Sequence, residues 1–288
     1  MSLGQQIGGI FLALFISLVF AFIGSDQGEQ VAGLSLFVLL MFLSFGVNWL
    51  MFIHSWLNRS EKLFDLVGSI TFVLVTLSAL VVSGNFDLRA LLISAAIIFW
   101  ALRLGPFLHG RIVKSGEDRR FRYIKQSFTW LLMTWTMQAN WVFVTAACGL
   151  AALTSSKVAP PDWTLFVGFS VWCFGFAVEV IADRQKSAFK ADPNNDGRFI
   201  QSGLWAWSRH PNYFGEILLW AGVALMAVPA LLGNQIFTLV APLFVIAQLT
   251  LISGVPLLER RADKIWGDEA AYQKYKRQTP ALMLWPPR

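Results

Sequence analysis

The sequence predicts an all-α, polytopic membrane bundle of about eight transmembrane helices, with both termini in the cytoplasm. Of the 288 residues, 56% are hydrophobic and 14% are charged, a balance typical of membrane proteins. Uncharged stretches of about 20 residues recur, which is the length that a helix needs to cross the bilayer core. Loop charge supports the same topology, because it places every Lys and Arg except Arg89 and Lys157 in the cytoplasm.

The eight spans follow from length and the absence of charge. The first has no Lys or Arg before it and no clear small-residue cleavage site after it, so we interpret it as a retained helix rather than a signal peptide. In chain order, the spans cover approximately residues 7–23, 31–53, 66–82, 88–109, 127–153, 163–182, 213–229 and 235–257.

One integral-membrane domain, residues 1–288, is expected. Within it, we predict that residues 1–125 hold four spans with substrate-side groups and that residues 126–258 hold four spans with a cofactor-binding core. Residues 259–288 are predicted to form a cytoplasmic amphipathic tail.

Missing motifs exclude several kinds of cofactor site. There is no Gly-x-Gly-x-x-Gly fingerprint and no P-loop, so neither a Rossmann unit nor a P-loop is expected to hold a nucleotide. His54, His109 and His210 lie in separate segments without a His-Glu-x-x-His pair, and no metal site is predicted. Cys148 and Cys173 are lone residues within spans and are interpreted as packing groups.

The net charge of +6 is concentrated on the cytoplasmic face of this topology, and two explanations compete for it. Topology and attraction to anionic lipid headgroups account for basic loops in most membrane proteins. A pocket for an anionic cofactor is the alternative, because Arg and Lys bind phosphate. The loops also contain acidic and amide side chains able to bind ribose or amide groups, which slightly favours the pocket.

The first polar cluster on this face begins with Arg103 at the end of the fourth span and continues through Arg111 to the loop 116–123. Arg103 is placed to snorkel to the interface or to reach a ligand. A solvated basic loop with internal ion pairs explains the cluster equally well.

The second cluster lies at the end of the sixth span, where Glu179, Asp183, Lys186 and Lys190 follow one another at spacings of four, three and four residues. This spacing places all four on one helical face. A solubilising stripe is the simple explanation. Glu179, however, follows a long uncharged stretch, and an ionisable group within the bilayer costs about 2.5–3.5 kcal/mol on insertion scales, which favours a function.

The third cluster is the string Ser208-Arg-His-Pro-Asn-Tyr-Phe-Gly-Glu216, preceded by a turn-rich loop that ends at Arg198. Pro211 suits the first turn of a helix, whose free amides, with Arg209, His210 and Asn212, form a site for phosphate or carboxylate. Glu216 follows about one turn later, able to accept from an amide or a ribose hydroxyl. The alternative is an interfacial helix start with the aromatic residues Trp205, Trp207 and Tyr213.

The fourth cluster is the tail after Glu259, with Tyr272 and Tyr275. It is typical of an amphipathic helix on the membrane surface, which either closes over a site or serves only as an anchor.

These residues carry a resemblance to a known family. The segments 182–190 and 208–216, with Arg103, Gly116-Glu-Asp-Arg-Arg120 and the tail, resemble the membrane proteins classed as DUF1295. These are relatives of steroid 5α-reductases, in a superfamily that includes sterol reductases and isoprenylcysteine carboxyl methyltransferases. The resemblance implies NADPH in a cytoplasm-facing cavity. The residues that it implies as contacts are Asp183, Asn212, Glu216, Arg103, Arg111 and Lys190.

The substrate half of the resemblance departs from the 5α-reductase pattern. The Gln-Glu pair of an early span is missing, because the second span offers only Asn48 and His54, and Trp100 stands where a Tyr is expected. His54 is therefore predicted as the donor to a substrate carbonyl, with Asp65 orienting it. An interfacial histidine is the simpler interpretation of His54.

The sequence therefore predicts an NADPH-dependent oxidoreductase that reduces an activated C=C bond in a lipophilic substrate, such as a steroid-like, prenyl or other lipid molecule. The alternatives are a methyltransferase using S-adenosylmethionine, with contacts from Arg209, His210, Tyr213, Gly215 and Glu259, and a non-catalytic lipid-binding protein. We expect a multi-pass protein of a bacterial inner membrane or an endoplasmic-reticulum-type membrane, in contact with lipids, without nucleic acid or an obligate protein partner. The predicted cofactor contacts are Arg103, Arg111, Asp183, Lys186, Lys190, Arg198, Arg209, His210, Asn212, Tyr213, Glu216, Tyr272 and Tyr275.

Overall fold

The computed structural model describes residues 1–118 and 120–286. Arg119, part of the first polar cluster, lies outside the described residues, as do Pro287 and Arg288. The chain is helical almost throughout. Its α-helices are α1 Leu3–Gly24, α2 Leu36–Asn58, α3 Phe64–Ser83, α4 Leu88–Ser115, α5 Phe121–Ile124, α6 Phe128–Thr154, α7 Trp163–Ala191, α8 Pro211–Ala227, α9 Ala241–Ala247, α10 Val255–Trp266 and α11 Ala270–Gln278.

Within the described residues, eight helical segments are long and apolar enough to cross a membrane. This confirms the predicted polytopic helical bundle. Side-chain caps explain several of the helix starts. The Asp87 carboxylate accepts from the Ala90 N–H at 2.8 Å and the Ser127 hydroxyl accepts from the Trp130 N–H, so that α4 and α6 begin where the sequence predicted.

The second predicted span began too early. Residues 30–35 form a small hairpin, in which β1 Gln30–Val31 pairs with β2 Leu34–Ser35. Its two turn residues, Ala32 and Gly33, both have positive φ, as a tight hairpin turn requires. Val31 and Leu34 are apolar, so hydropathy alone could not distinguish these strands from the start of a helix.

Two spans continue as helices well past their predicted ends. α4 runs to Ser115 rather than 109, and α7 runs to Ala191 rather than 182. Charged side chains end an apolar stretch without ending a helix, since Lys, Arg and Glu are good helix formers. The second polar cluster therefore lies on α7 itself.

The last predicted span is not a single α-helix. A 3₁₀ segment, Gly233–Val240, leads into α9, a π-helical turn follows at Gln248–Ile252, and the chain bends before α10. Gly254 is required at the bend, because a Cβ there would lie 2.5 Å from the Leu249 carbonyl oxygen. The predicted tail boundary at residue 259 falls inside α10.

The structure divides the chain into two compact units. The first comprises residues 1–166 and 223–241, and the second comprises residues 167–222 and 242–288. The roles predicted for residues 1–125 and 126–258 stay predictions.

The first unit is built around α6, which is buried along most of its length and packs against α1, α2 and α3. Polar side chains bond the helices to one another in its interior. Gln138 donates to the Asn48 side chain at 2.9 Å and to the Phe64 carbonyl at 3.0 Å, and Ser44 donates to the Ala139 carbonyl at 2.9 Å. Interhelical bonds of this kind satisfy polar groups away from water.

The buried cation of this unit is Arg89, at the start of α4 and 2% exposed. Its guanidinium donates to the Asp162 carboxylate at 2.9 Å and to the Thr164 hydroxyl at 3.2 Å. It also donates to three main-chain carbonyls. These belong to Ala159, Pro160 and Met226. A buried charge is tolerated when its donors are satisfied in this way.

In the second unit, α7 and α8 approach through glycines spaced seven residues apart on each helix. A Cβ on Gly222 would lie 2.6 Å from the Gly168 carbonyl oxygen, and a Cβ on Gly215 would lie 2.5 Å from that of Gly175. Small residues let helix backbones touch. The contact holds the start of α8, and with it the third polar cluster, against α7.

Candidate functional site

A cavity of about 650 Å³ lies in the second unit. The end of α7, the loop 192–200, the residues just before α8, and the helices α10 and α11 supply its walls. This volume is in the range of small-molecule and cofactor sites. Three acidic side chains, Asp192, Asp196 and Glu259, line it together with a larger set of cationic ones. The cationic residues are Lys186, Lys190, Arg198, Arg209 and Arg261.

Glu259 on α10 joins the two central residues of the third polar cluster. One of its oxygens, Oε1, accepts from Arg209 Nε at 3.0 Å and lies 2.8 Å from His210 Nε2. The other oxygen lies 3.6 Å from the Lys276 ammonium. Arg209 and His210 are adjacent just before α8, so Glu259 ties α10 to the start of that helix.

Arg209 also binds the end of α11. Its Nη1 donates to the carbonyls of Lys276 and Thr279 at 2.8 and 2.7 Å, and its main-chain N–H donates to the Pro280 carbonyl at 2.9 Å. The last carbonyls of a helix have no intrahelical partner and carry partial negative charge, which a guanidinium satisfies. Most of the Arg209 donors therefore stabilise the cavity wall.

The C-terminal segment pairs with the chain just before α8. The Ser208 hydroxyl donates to the Leu282 carbonyl at 2.9 Å, and the Trp285 N–H donates to the Trp207 carbonyl at 3.1 Å. The Tyr275 hydroxyl donates to the Trp205 carbonyl at 2.6 Å. These bonds fix the tail as one wall of the cavity.

Aromatic rings form another part of the wall. The Phe199 ring lies 5.3 to 5.8 Å from the rings of Trp266, Tyr272 and Tyr275. Trp266 also donates from Nε1 to the Gly197 carbonyl at 2.6 Å, which ties the loop 192–200 to α10. Burial, with the nearby Asp263 carboxylate, raises the pKa of Tyr272 to about 12. This phenol is therefore neutral at physiological pH and available for stacking and hydrogen bonding.

Comparison with known proteins places the chain in a family. Residues 51–279 match the model of a family described as a protein of unknown function, DUF1295. The chain belongs to the DUF1295 family. The matched region contains the whole of the third polar cluster and most of the tail.

The DUF1295 protein is also similar to a protein named "Probable O-methyltransferase ustE" from Ustilaginoidea virens. The two are 28% identical over 97 residues, which is 34% of each chain. The match thus spans about a third of the length of that relative.

Seven of the predicted contacts of the DUF1295 protein surround the cavity. They are Lys186, Lys190, Arg198, Arg209, His210, Tyr272 and Tyr275. Asp183, Asn212, Tyr213 and Glu216 are not among the described residues that line it. The Tyr213 ring stacks on the His210 ring, with 5.7 Å between the ring centroids. Tyr213 therefore helps to orient a cavity residue without lining the cavity itself. Cofactor contacts by these four stay predictions.

The remaining predicted residues lie in the first unit. Arg103 and Arg111 are on α4, and the Arg103 guanidinium lies 5.0 Å from the centre of the Phe107 ring. His54 is exposed on α2, and its Nδ1 lies 3.3 Å from the Asn58 amide. Asp65 on α3 lies 3.9 Å from Arg120. His54 and Asp65 thus have different partners, and their catalytic roles stay predictions.

Several residues of the cavity were not predicted as cofactor contacts from sequence, and three of them have side chains that matter for the proposed chemistry. Arg261, Phe199 and Trp266 all line it. Arg261 and Trp266 lie five residues apart on α10, and Arg261 follows Glu259 by two residues. The amphipathic pattern of the tail carried a signal for Arg261 and Trp266, but it did not indicate which face of α10 meets the cavity.

Proposed function

We propose that this protein is a membrane-embedded oxidoreductase that uses NADPH to reduce an activated C=C bond in a lipophilic substrate. The observation that supports it is the set of five cationic side chains around one cavity of about 650 Å³. Phosphates are bound in proteins chiefly by Arg and Lys. A dinucleotide phosphate carries several negative charges, and cationic side chains outnumber acidic ones in this lining.

The chemistry of the side chains fits such a cofactor. Arg198 and Arg261 are exposed at the cavity, where they would bind phosphate oxygens without an expensive desolvation. Phe199 and Tyr275 offer ring faces to a base. When bound, the cofactor supplies a hydride to the substrate. The eight helices that are long and apolar enough to cross a membrane suit a lipophilic substrate.

A methyltransferase that uses S-adenosylmethionine is the second candidate, and two observations favour it. The resemblance to that branch of the superfamily implies Arg209, His210 and Glu259 as cofactor contacts, and these three side chains lie together, with Glu259 in contact with both of the others. The relative from Ustilaginoidea virens is named a probable O-methyltransferase. S-adenosylmethionine carries no phosphate, however, so a pocket for it does not need five Arg and Lys side chains.

Binding measurements on detergent-purified protein test both candidates. We expect NADPH to bind more tightly than NADH, because a charge-assisted contact to the 2′-phosphate contributes about 1.5–3 kcal/mol, roughly 10- to 150-fold in affinity. Salt should reduce the difference. Tighter binding of S-adenosylmethionine than of either dinucleotide would contradict the reductase and support the methyltransferase. Binding of none of the three would contradict both.

A further inference from the structure

We propose that His210 binds a neutral N–H donor of the cofactor through its Nδ1 atom. The part of the cavity beside this atom, which we call its inner end, therefore excludes anionic groups. The inference rests on the proposed cofactor site. It reverses the role that the sequence suggested for His210, which was to help bind phosphate or carboxylate beside Arg209.

Glu259 determines which nitrogen of His210 carries the hydrogen. Its Oε1 lies 2.8 Å from His210 Nε2 and accepts from Arg209 Nε. A carboxylate surrounded by Arg209 and Lys276 is ionised and can only accept hydrogen bonds. Nε2 must therefore carry a proton. Burial lowers the pKa of His210 below its ordinary value, so the ring is neutral at physiological pH and Nδ1 presents a lone pair.

The position of Nδ1 points to a ligand. The His210 side chain is 6% exposed, lies in the cavity wall, and its Nδ1 is buried without a hydrogen-bond partner among the described residues. Buried polar atoms without a partner are rare in folded proteins. Stacking on Tyr213 and the contact between Nε2 and Glu259 hold the ring in this orientation.

This arrangement gives the bound cofactor a direction. The Nδ1 lone pair repels phosphate oxygens. Two donors of Arg209 are not available to them either, because its Nε is bonded to Glu259 and its Nη1 to two carbonyls at the C-terminal end of α11. Phosphates are therefore directed to the exposed Arg198 and Arg261. The inner end takes an N–H group instead. In NADPH such a group is either the carboxamide of the nicotinamide or the amine of the adenine.

A pair of substitutions separates the two nitrogens of the ring. The amide of His210→Gln reaches the Nε2 position, where it can still donate to Glu259, and leaves no acceptor at the Nδ1 position. The shorter amide of His210→Asn reaches the Nδ1 position, where its oxygen can accept. Loss of one hydrogen bond corresponds to about tenfold in affinity, so His210→Gln should bind NADPH about tenfold more weakly than wild type. His210→Asn should bind more tightly than His210→Gln.

Two NADPH analogues identify the donor. In the 3-acetylpyridine analogue a methyl group replaces the carboxamide nitrogen, and in the hypoxanthine analogue a carbonyl oxygen replaces the adenine amine. The analogue that lacks the donor should lose about tenfold on wild type and nothing further on His210→Gln. A folded His210→Gln variant, checked by thermal unfolding, that binds NADPH as wild type does would overturn the proposal. So would equal binding of both analogues and NADPH to wild type.

These outcomes are distinct from failure of the proposed function. If wild type does not bind NADPH but binds S-adenosylmethionine, the reductase is wrong, and the same comparison is made with S-adenosylmethionine and its deaminated form. If no adenine-containing ligand binds, the proposed function and this inference both fail.

Discussion

Gly175 of α7 and Gly215 of α8 lie back to back, so that a Cβ on either one would lie 2.5 to 2.6 Å from the carbonyl oxygen of the other. The obstacle on each side is backbone, which cannot move away as a flexible side chain can. The position of the start of α8, which directly follows Arg209 and His210, therefore depends on glycine at both positions.

Replacing Gly215 with alanine should destabilise the protein. Overpacking of this kind costs about 1–3 kcal/mol, and a lower thermal unfolding midpoint in detergent would show it. Gly46→Ala is the matched control, because no atom lies within 4 Å of a Cβ built there, and the higher helix propensity of alanine should leave stability unchanged or slightly raised. Equal midpoints for the two variants would contradict the close helix contact.

Replacing Arg89 with methionine should also lower the unfolding midpoint. The substitution leaves buried acceptors of Ala159 and Met226 without donors, and a buried unsatisfied acceptor costs about 1–3 kcal/mol. Lys157 is exposed, so Lys157→Met is expected to leave the midpoint unchanged. The same loss in both variants would show that net charge, rather than the buried bonds, determines the effect.

Stability should depend on pH through His210. Burial lowers its pKa below the ordinary 6.5, and Lys186 and Arg209 act in the same direction, while Glu259 opposes them. The unfolded chain then binds the proton more readily than the folded protein does. The stabilising contribution is complete above about pH 6.5 and is lost as the pH falls below it. Unfolding midpoints measured from about pH 8 to about pH 5 should therefore fall more steeply for wild type than for His210→Gln, and parallel curves would contradict this.

Affinity for NADPH should depend on the cationic side chains that line the cavity and not on cationic residues next to them in the sequence. Arg198→Ala and Arg261→Ala are each expected to weaken binding by about 3- to 10-fold, a modest effect because both side chains are exposed. Arg260→Ala is the control, because Arg260 is next to Arg261 but does not line the cavity. Titrations at low and high salt should show a smaller salt dependence for the first two variants. An equal loss in Arg260→Ala would indicate a general charge effect.

The spans could be predicted from sequence because bilayer length and hydropathy are properties of local segments. The break between Gln248 and Gly254 could not, since the apolar composition continues through it and only Gly254 and Pro256 signal a change. A helical break within an apolar segment depends on what packs beside it. Here the Tyr213 ring would lie 2.8 Å from a Cβ on Gly254.

At the candidate site, the residue types could be predicted from sequence more readily than their hydrogen-bond partners. The string 208–216 indicated where polar groups gather, and seven predicted contacts, two of them within the string, line one cavity. The carbonyls that bind Arg209 Nη1, however, lie 67 and 70 residues further along the chain. Bonds to main-chain atoms leave no residue-type signature, so the sequence could not show that these donors are already occupied.

The bonds of Arg89 have a consequence for how the protein is made. Its carbonyl partner Met226 lies 137 residues further along the chain, so ribosomes complete four more helices before this acceptor exists. The other acceptors, Ala159, Pro160, Asp162 and Thr164, are made earlier. The buried bonds of Arg89 are therefore complete only once most of α8 has been synthesised.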